Sequence, residues 1–203
     1  MGFYWNVVFP RLCDCVMDQP YLAEHRKRLL AKASGEILEI GVGTGLNLTH
    51  YPAEIRKITT VDPNEGMRKL LLNRIKQTQL AVQHLVLGGE QLPFEDATFD
   101  CVVSTWTLCS IPEVQRAMRE LYRVLKRGGR FLFLEHGLSD IPKVRTWQKR
   151  LTGLQSFIAG CRLDLNVREL IAGQPFASVE IENFYLEKTP KTHGYMYQGV
   201  AMK

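Results

Sequence analysis

The stretch Glu36-Ile37-Leu38-Glu39-Ile40-Gly41-Val42-Gly43-Thr44-Gly45 decides the fold of this chain. It starts as a short apolar strand and breaks into three glycines, each separated from the next by one residue. Asp62 ends the next apolar run, Ile58-Thr59-Thr60-Val61. A glycine-rich turn lets a ligand lie against the backbone because no Cβ stands in the way. Since an acidic residue after the second strand can accept both hydroxyl groups of a ribose, the two features predict a site for an adenosine-containing cofactor.

The glycine spacing and the acid before it indicate which cofactor this is. A dinucleotide site places its third glycine three positions after the second and binds a pyrophosphate at a helix N-terminus, but Leu46 stands at that position here. Glu39 precedes the first glycine, where a carboxylate would repel a pyrophosphate and attract an ammonium or sulfonium group. Both features favour S-adenosylmethionine over NAD. The alternative is an ordinary glycine-rich turn between a strand and a helix.

Three longer segments resemble motifs of a known family: the glycine stretch with Val61–Asn64, the segment Gly89–Asp100, and the helix end Glu120–Arg130. Together they resemble class I S-adenosylmethionine-dependent methyltransferases of the ubiquinone/menaquinone-biosynthesis type. Shorter pieces are similar to the methyltransferase-like seven group of membrane-associated alkyl-thiol methyltransferases; they are Gly89-Glu90, Thr107–Ser110, Glu135-His136, and Gly160-Cys161 with Leu163. The resemblance covers most of the chain and implies a methyltransferase that uses S-adenosylmethionine.

The fold that this resemblance implies is an α/β, Rossmann-like one, a seven-stranded and mostly parallel sheet with an antiparallel C-terminal strand and helices on both faces. The residue pattern agrees, because strands and helices alternate and the last two runs, Ser178–Tyr185 and Tyr195–Ala201, alternate like antiparallel strands. The helix from Glu113 is expected to reach Lys126 and stop at Gly128-Gly129. We expect a helical lid over residues 1–34 and a methyltransferase domain over residues 35–203, within one globular unit.

The expected cofactor-binding residues follow the strands, because ligands of open α/β sheets lie outside the carboxyl ends of the strands. They are Glu39, Gly41, Gly43, Gly45, Asp62, Pro63, Gly89, Glu90, Ser104 and Thr105. Gly89 and Glu90 are placed at the adenine by the resemblance. Gly88 stands where many relatives carry Asp or Asn, so backbone groups or Glu90 are expected to take over that contact.

His136, just past the fifth strand, is the candidate catalytic residue. Methyl transfer from a sulfonium mainly requires that nucleophile, methyl carbon and sulfur are held in line, but a thiol, phenol or amine acceptor must also lose a proton. Histidine titrates near neutral pH, so His136 is the best-placed general base. The alternative is a structural histidine bonded to Glu135. Cys109 and Cys161 either line the acceptor pocket or pack in the core.

Length and composition fit one domain. A chain of 203 residues with 45% hydrophobic content can bury a core without disulfides. The five cysteines include no Cys-x-x-Cys spacing, so no disulfide framework and no metal site is predicted, and reduced thiols of a cytoplasmic protein are expected. A cleaved signal peptide is not expected, because Pro10, Arg11 and Asp14 interrupt the apolar opening. No apolar run reaches the roughly 18 residues of a membrane span. The net charge of +5 lies in two short clusters, which argues against a nucleic-acid partner.

The N-terminal segment has two compatible interpretations. The aromatic opening at residues 3–9 lies near Arg26-Lys27-Arg28, and rings beside basic residues suit a peripheral contact with a membrane surface. A lid helix over the active site, with a solvated basic face, is the favoured alternative. The expected localisation is therefore cytoplasmic, with membrane association as its variant.

The methyl acceptor is the least specified feature. Apolar residues of the N-terminal segment and of the helix after Pro142 should roof a hydrophobic pocket, so a small molecule fits better than a polymer. An alkyl or aryl thiol, a quinol or phenol, and a lipid headgroup remain as acceptors. A cofactor-binding regulatory protein without transferase activity, and a nucleic-acid or protein methyltransferase, are the alternative classes. The intact glycine motif with Asp62 argues against loss of activity, and the oligomeric state stays open.

Overall fold

Apolar runs form the strands because most of these strands are covered on both faces. The computed structural model describes residues 2–203. All four residues of the first strand and four of the five in the second are buried. The strands are β1 Ile37–Ile40, β2 Lys57–Val61, β3 Ala81–Leu85, β4 Phe99–Thr105, β5 Leu125–His136, β6 Ser178–Tyr185 and β7 Tyr195–Met202.

The strands form one sheet in the order β3-β2-β1-β4-β5-β7-β6. β1 pairs in parallel with both β2 and β4, so the chain order reverses at β1. β7 runs antiparallel to both of its neighbours, β5 and β6. The expected Rossmann-like fold with an antiparallel C-terminal strand is confirmed. Its topology places a ligand crevice outside the carboxyl ends of β1 and β4.

Helices cover both faces of this sheet. They are α1 Phe9–Met17, α2 Pro20–Leu30, α3 Arg68–Ile75, α4 Val114–Val124, α5 Pro142–Ala159, α6 Val167–Ala172 and α7 Lys191–Gly194. In β5, Phe131 and Phe133 belong to the core on one face of the sheet. Leu132 and Leu134 belong to the core on the other face, because successive side chains of a strand point to opposite sides.

The helix expected to stop at Gly128-Gly129 ends earlier, at Val124. Leu125 has extended backbone angles, with φ −75° and ψ 133°, and it pairs with Phe99 of β4. Strand pairing therefore ends the helix before the glycines are reached. Gly128, at φ 75°, instead allows a turn inside the extended stretch that becomes β5.

The N-terminal residues pack against the chain near the carboxyl edge of the sheet. A π-helical turn at Tyr4–Val8 leads into α1. The backbone of Asn6 lies so close to Gly66 that a Cβ on that glycine would come within 2.6 Å of the Asn6 Cα. The Tyr4 hydroxyl donates a hydrogen bond to the Ile158 carbonyl at the end of α5, at 2.8 Å. The N-terminal segment thus contacts both the turn that follows β2 and the end of α5. The expected lid boundary at residue 34 stays a prediction.

No helix within residues 2–203 combines the length and the apolar character that crossing a bilayer requires.

Candidate active site

The three glycines after β1 adopt left-handed backbone angles, with φ of 65° at Gly41, 54° at Gly43 and 86° at Gly45. Residues with side chains rarely adopt such angles. A Cβ at Gly41 would also collide with the Thr107 side chain, and one at Gly45 would come within 2.9 Å of Leu71. At Gly43, a Cβ would meet no atom of residues 2–203 nearer than the Gly41 carbonyl oxygen at 4.0 Å. Gly43 is therefore the point where the loop can accept a ligand.

Asp62 follows β2 and faces this loop. Its Oδ2 accepts a hydrogen bond from the Gly43 N–H, and its Oδ1 accepts one from the Asn64 N–H, both at 2.8 Å. Burial raises the pKa of Asp62, and these two bonds oppose the shift. Each carboxylate oxygen has a second lone pair. The side chain that positions the glycine loop can therefore also accept hydrogen bonds from two ribose hydroxyls.

Glu39 lies in β1, two residues before Gly41, and its side chain is buried. Its Oε1 accepts a hydrogen bond from Asn47 Nδ2 at 2.9 Å, and its Oε2 accepts one from the Tyr51 hydroxyl at 2.7 Å. Burial raises the pKa of Glu39 to about 7, although the bonds from Tyr51 and Asn47 and the charge of Arg26 act against it. A cation bound beside this carboxyl group would favour its ionised form.

Asn47 adds an unsatisfied acceptor to this end of the crevice. Its Nδ2 also donates to Thr105 Oγ1 at 3.0 Å, but its buried Oδ1 has no hydrogen-bond partner in the described part of the chain. A buried unpaired polar group costs about 1–3 kcal/mol, so the position favours a bound donor. An ammonium group near Glu39 and Asn47 would satisfy that acceptor. These acceptors therefore fit the ammonium group of S-adenosylmethionine and do not fit a pyrophosphate.

Arg26 of α2 is buried, so the expectation of a solvated basic face is wrong for this residue. Its guanidinium group stacks over the Trp106 ring, 4.7 Å from the centroid, and Nη1 donates to the Met17 carbonyl at 3.1 Å. Burial lowers the pKa of Arg26 to about 10, and the carboxylate of Glu39 opposes that shift. Trp106 has φ 49°, a rare angle for a bulky residue and one that clusters at functional sites.

The other predicted cofactor-binding residues are Pro63, Gly89, Glu90, Ser104 and Thr105. The Glu90 carboxylate reaches back over Gly88, where a Cβ would collide with it. The buried Ser104 hydroxyl donates to Glu135 Oε1 at 2.6 Å, so this side chain is committed to the neighbouring strand. The roles of all five residues in cofactor binding stay predictions.

Arg74 of α3 ties α1 to the glycine loop. It donates to the Asp14 carboxylate at 2.7 Å and to the Thr44 carbonyl at 3.0 Å. Cys13 lies next to Asp14 on the same helix, and burial raises its pKa to about 11, with the charges of Asp14 and Asp62 adding to the shift. The contacts of Arg74 with Asp14 and with Thr44 therefore hold α1 against the glycine loop.

Glu135, near the end of β5, fixes the turn on the far side of the crevice. Its Oε2 accepts hydrogen bonds from the N–H groups of Thr107 at 2.9 Å and Leu108 at 3.2 Å. Burial raises the pKa of Glu135 to about 7, and the bond from Ser104 leads the effects that oppose this shift. The Thr107 hydroxyl also donates to the Gly41 carbonyl at 3.3 Å. This turn is therefore held directly against the glycine loop.

The same turn brings Cys109 to His136 and Cys161. The two sulfur atoms and a ring nitrogen of His136 all lie within 4.8 Å of one another, with Cys109 and His136 buried and Cys161 half-buried. A hydrogen bond from Cys109, assisted by His136, lowers the pKa of Cys161. The same bond and burial raise the pKa of Cys109. We call these three residues the cysteine–histidine cluster.

Two open clefts lie elsewhere, one of about 550 Å³ beside Arg162–Asn166 and one of about 430 Å³ beside Glu90–Leu92. Neither cleft is lined by the glycine loop. Because α1 is held against the glycine loop, neither of these clefts opens at the loop. The candidate site is therefore identified by its hydrogen-bonding groups and not by the volume of a cleft.

Comparison with known proteins indicates the class to which this domain belongs. Residues 38–133 match the family model described as a methyltransferase domain. Over 152 residues, 72% of this chain and 62% of the relative, the sequence is 40% identical to thiol S-methyltransferase TMT1A of Homo sapiens. Over 134 residues, 60% of this chain and 53% of the relative, it is 33% identical to the ubiquinone/menaquinone biosynthesis C-methyltransferase UbiE of Escherichia fergusonii. The chain thus spans less than two thirds of the length of these curated relatives.

The fold is also similar to a solved structure, a S-adenosylmethionine-dependent methyltransferase and possible histamine N-methyltransferase from Thermotoga maritima. The two share a TM-score of 0.68 at 21% identity, over 97% of this chain and 99% of the other. At this identity the likeness shows the fold alone. Fold, site and sequence together define a Rossmann-like protein built for an adenosine-containing sulfonium cofactor. The chain contains a class I S-adenosylmethionine-dependent methyltransferase domain, as the resemblance of its motifs implied.

Several residues of the site could not be predicted from the sequence because no motif or spacing marks them. Asn47 and Tyr51 hold Glu39, but neither belongs to a spacing pattern. The sequence shows Arg26 only as part of a basic cluster, whereas its contact with Trp106 joins α2 to the residue that follows β4. The sequence offers one signal for Asn47 and Tyr51, namely that both are polar residues shortly after the glycine motif.

Proposed function

We propose that this protein transfers the methyl group of S-adenosylmethionine to the sulfur of a small, hydrophobic thiol. The observation that carries the transferase proposal is the set of acceptors on either side of Gly43, with Glu39 and Asn47 at one end and Asp62 at the other. The choice of a thiol is supported by the identity shared with thiol S-methyltransferase TMT1A.

The cofactor would be held along the glycine loop by groups of matching charge. Glu39 and Asn47 Oδ1 suit its ammonium group, because one supplies a carboxylate and the other an unpaired acceptor. Asp62 suits the ribose hydroxyls, and Gly43 lets the backbone approach the ligand. Gly89 and Glu90 are proposed to contact the adenine.

S-adenosylmethionine supplies an already activated methyl group, so the protein chiefly has to align the acceptor with it. Holding reacting atoms in line can be worth about 7–11 kcal/mol. Trp106 and α1 would keep water out of the crevice, since Arg26 fixes the tryptophan ring and Arg74 fixes the helix. Excluding water strengthens the electrostatic interactions inside the site.

His136 is proposed as the residue that takes part in removing the acceptor's proton. It is buried at the end of β5, opposite Met196 of β7, and it lies close to two sulfur atoms. His136→Ala should lower turnover by about 10²–10⁴-fold, the range for general acid–base catalysis, and leave the affinity for the cofactor unchanged. Unchanged turnover would show that alignment alone suffices.

The outer surface of α1 and α5 is proposed to contact a membrane surface. Exposed apolar side chains include Phe3 at 74%, Leu12 at 52%, Val16 at 56% and Phe157 at 82% of their full exposure. Lys149 and Arg150 are exposed on α5 and would favour anionic lipid. Co-sedimentation with vesicles containing phosphatidylserine tests this. Leu12→Glu should reduce binding, whereas Val179→Glu on the exposed strand β6 should not.

A panel assay with labelled S-adenosylmethionine tests the proposed function. Alkyl and aryl thiols, quinols, phenols and phospholipids are offered separately, and the methylated products are identified by mass spectrometry. A methyl thioether from the thiols is expected. Transfer to a quinol would favour the activity named for the UbiE relative. Cofactor binding without transfer to any acceptor would favour a regulatory protein.

A further inference from the structure

We propose that the cysteine–histidine cluster binds a thiophilic divalent metal ion, for which Zn²⁺ is the probe, through Cys109 Sγ, a ring nitrogen of His136 and Cys161 Sγ. Three protein ligands leave one coordination position of a tetrahedral ion open. The proposal deepens the function proposed above, because the open position would lie at the acceptor end of the crevice. Metal binding itself does not depend on that function.

The geometry suits such an ion. Bonds of about 2.3 Å to sulfur and about 2.0–2.1 Å to nitrogen place tetrahedral ligand atoms roughly 3.5–3.8 Å apart. The three donor atoms of the cluster already lie within 4.8 Å of one another. Side-chain rotations that bring the donor atoms about 1 Å closer together would complete the site. Two thiolates and an imidazole are also a ligand set that a catalytic zinc ion uses.

Three separate parts of the chain hold the ligands in place. Cys109 lies in the turn that Glu135 fixes, and His136 ends β5. Cys161 follows α5 directly after Gly160, which has φ 69°. The Arg162 N–H donates to the Cys109 carbonyl at 2.9 Å, so the Cys161 loop is joined to the turn. This arrangement exists only in the folded chain, which is why the sequence spacing gave no sign of it.

Polar side chains around the cluster form hydrogen bonds with its two sulfur atoms. Gln155 Nε2 donates to Cys161 Sγ at 3.4 Å, and the Ser110 hydroxyl lies 3.7 Å from Cys109 Sγ. Gln155 Oε1 lies 3.3 Å from His193 Nε2. Such partners orient metal ligands, and their loss typically lowers metal affinity by about 10–100-fold. The cluster therefore has supporting groups that an accidental grouping of thiols would not need.

A bound ion would change the chemistry at the acceptor end. With His136 as a ligand, the ion and not the imidazole would lower the pKa of an acceptor thiol in the open position, since a coordinated thiol is deprotonated. The thiol's proton would leave to water as its sulfur binds the ion. The two roles of His136 can be separated, because only the metal-bound role is sensitive to a chelator.

The test is a titration of the reduced, full chain with Zn²⁺ in competition with a chromophoric chelator, followed by a titration with Co²⁺. We expect one ion per chain and, with Co²⁺, the absorption of thiolate ligands together with that of a tetrahedral ion. Cys109→Ser, Cys161→Ser and His136→Ala should each weaken binding by at least about 100-fold, and Gln155→Ala by about 10–100-fold. Cys15→Ser, at an exposed cysteine on α1, is the matched control and should bind normally.

Circular dichroism and binding of S-adenosylhomocysteine verify that each variant is folded. Equal Zn²⁺ affinity in all variants, or a Co²⁺ spectrum without sulfur ligands, would overturn the proposal. So would a Cys109–Cys161 disulfide that forms under the same conditions in place of metal binding. A chain that binds Zn²⁺ at this cluster but methylates no thiol supports the metal site and refutes the proposed function. Thiol methylation without metal binding would support the proposed function and refute the metal site.

Discussion

Asp62→Ala removes a carboxylate that serves both the glycine loop and the proposed ribose site. In the protein it accepts the N–H groups of Gly43 and Asn64, each at 2.8 Å. A hydrogen bond to a charged group contributes about 1.5–3 kcal/mol, so losing one ribose bond should weaken binding roughly 10–150-fold. Losing the second ribose bond, or the order of the loop, adds to this. Isothermal titration calorimetry with S-adenosylhomocysteine measures the change.

Asp100→Ala is the matched control for this experiment. Asp100 also accepts a backbone N–H at 2.8 Å, from Glu36, but it lies at the opposite end of β1. Asp62→Asn keeps one carbonyl acceptor without the charge, so its affinity should fall between those of the wild type and Asp62→Ala. Asp62 is not the ribose ligand if Asp62→Ala binds S-adenosylhomocysteine within about twofold of the wild type, or if Asp100→Ala weakens binding equally.

Three further predictions concern the loop, the buried glutamate and the lid. Gly43→Val should abolish cofactor binding, because its side chain fills the ligand's space, while the left-handed angle costs only about 1–2 kcal/mol of stability; a variant that melts early and yet binds normally would contradict this. Since the pKa of Glu39 is raised to about 7, cofactor affinity should fall as the pH drops below about 7, when the carboxylate that attracts the ammonium group becomes protonated. Glu39→Gln should bind weakly with a flatter pH profile, and an unchanged profile would exclude Glu39 as the partner. Asp14→Asn removes a charge that holds α1 to Arg74, so native-state hydrogen exchange in α1 should speed up while exchange in β5 stays the same; equal exchange in α1 would show that the ion pair does not hold the helix.

The raised pKa of Glu39 also implies a pH dependence of stability. A carboxyl group whose pKa is higher in the folded chain than in the unfolded chain stabilises the fold while it is protonated. Glu39 and Glu135 both have their pKa raised from 4.5 to about 7. The contribution of these two groups to the free energy of unfolding should therefore decline as the pH rises from about 4.5 through about 7. Bound cofactor should oppose the part due to Glu39.

The parts of the fold that were predicted from the sequence are those that local physics determines. Closely spaced glycines predict a turn, and Gly41, Gly43 and Gly45 all adopt the left-handed angles that such a turn requires. The last two strands showed their alternation directly, and Ser178–Tyr185 forms β6 as expected. The end of α4 was misplaced because pairing of Leu125 with β4 decided it, and a helix-stop pattern contains no information about a distant strand.

The candidate site was less predictable for the same reason. Glu39 and Asp62 stood out because they border the glycine motif. The stacking of Arg26 on Trp106 and the cysteine–histidine cluster depend on contacts between residues far apart in the chain. The partners of Glu39 are close in the chain, but they belong to no spacing pattern. Cys109 and Cys161 looked like separate free thiols in a sequence without metal-binding spacing. Only the folded sheet edge places them together with His136.

Methyl transfer to a thiol is measured most directly through the product formed from an isotopically labelled methyl donor. The full chain is incubated with labelled S-adenosylmethionine and a hydrophobic alkyl thiol, beside a quinol of similar size, and the products are identified by mass spectrometry. We expect a labelled methyl thioether, and Asp62→Ala should strongly reduce its formation at limiting cofactor. Label on the quinol alone, or no transfer while S-adenosylhomocysteine still binds, would contradict it.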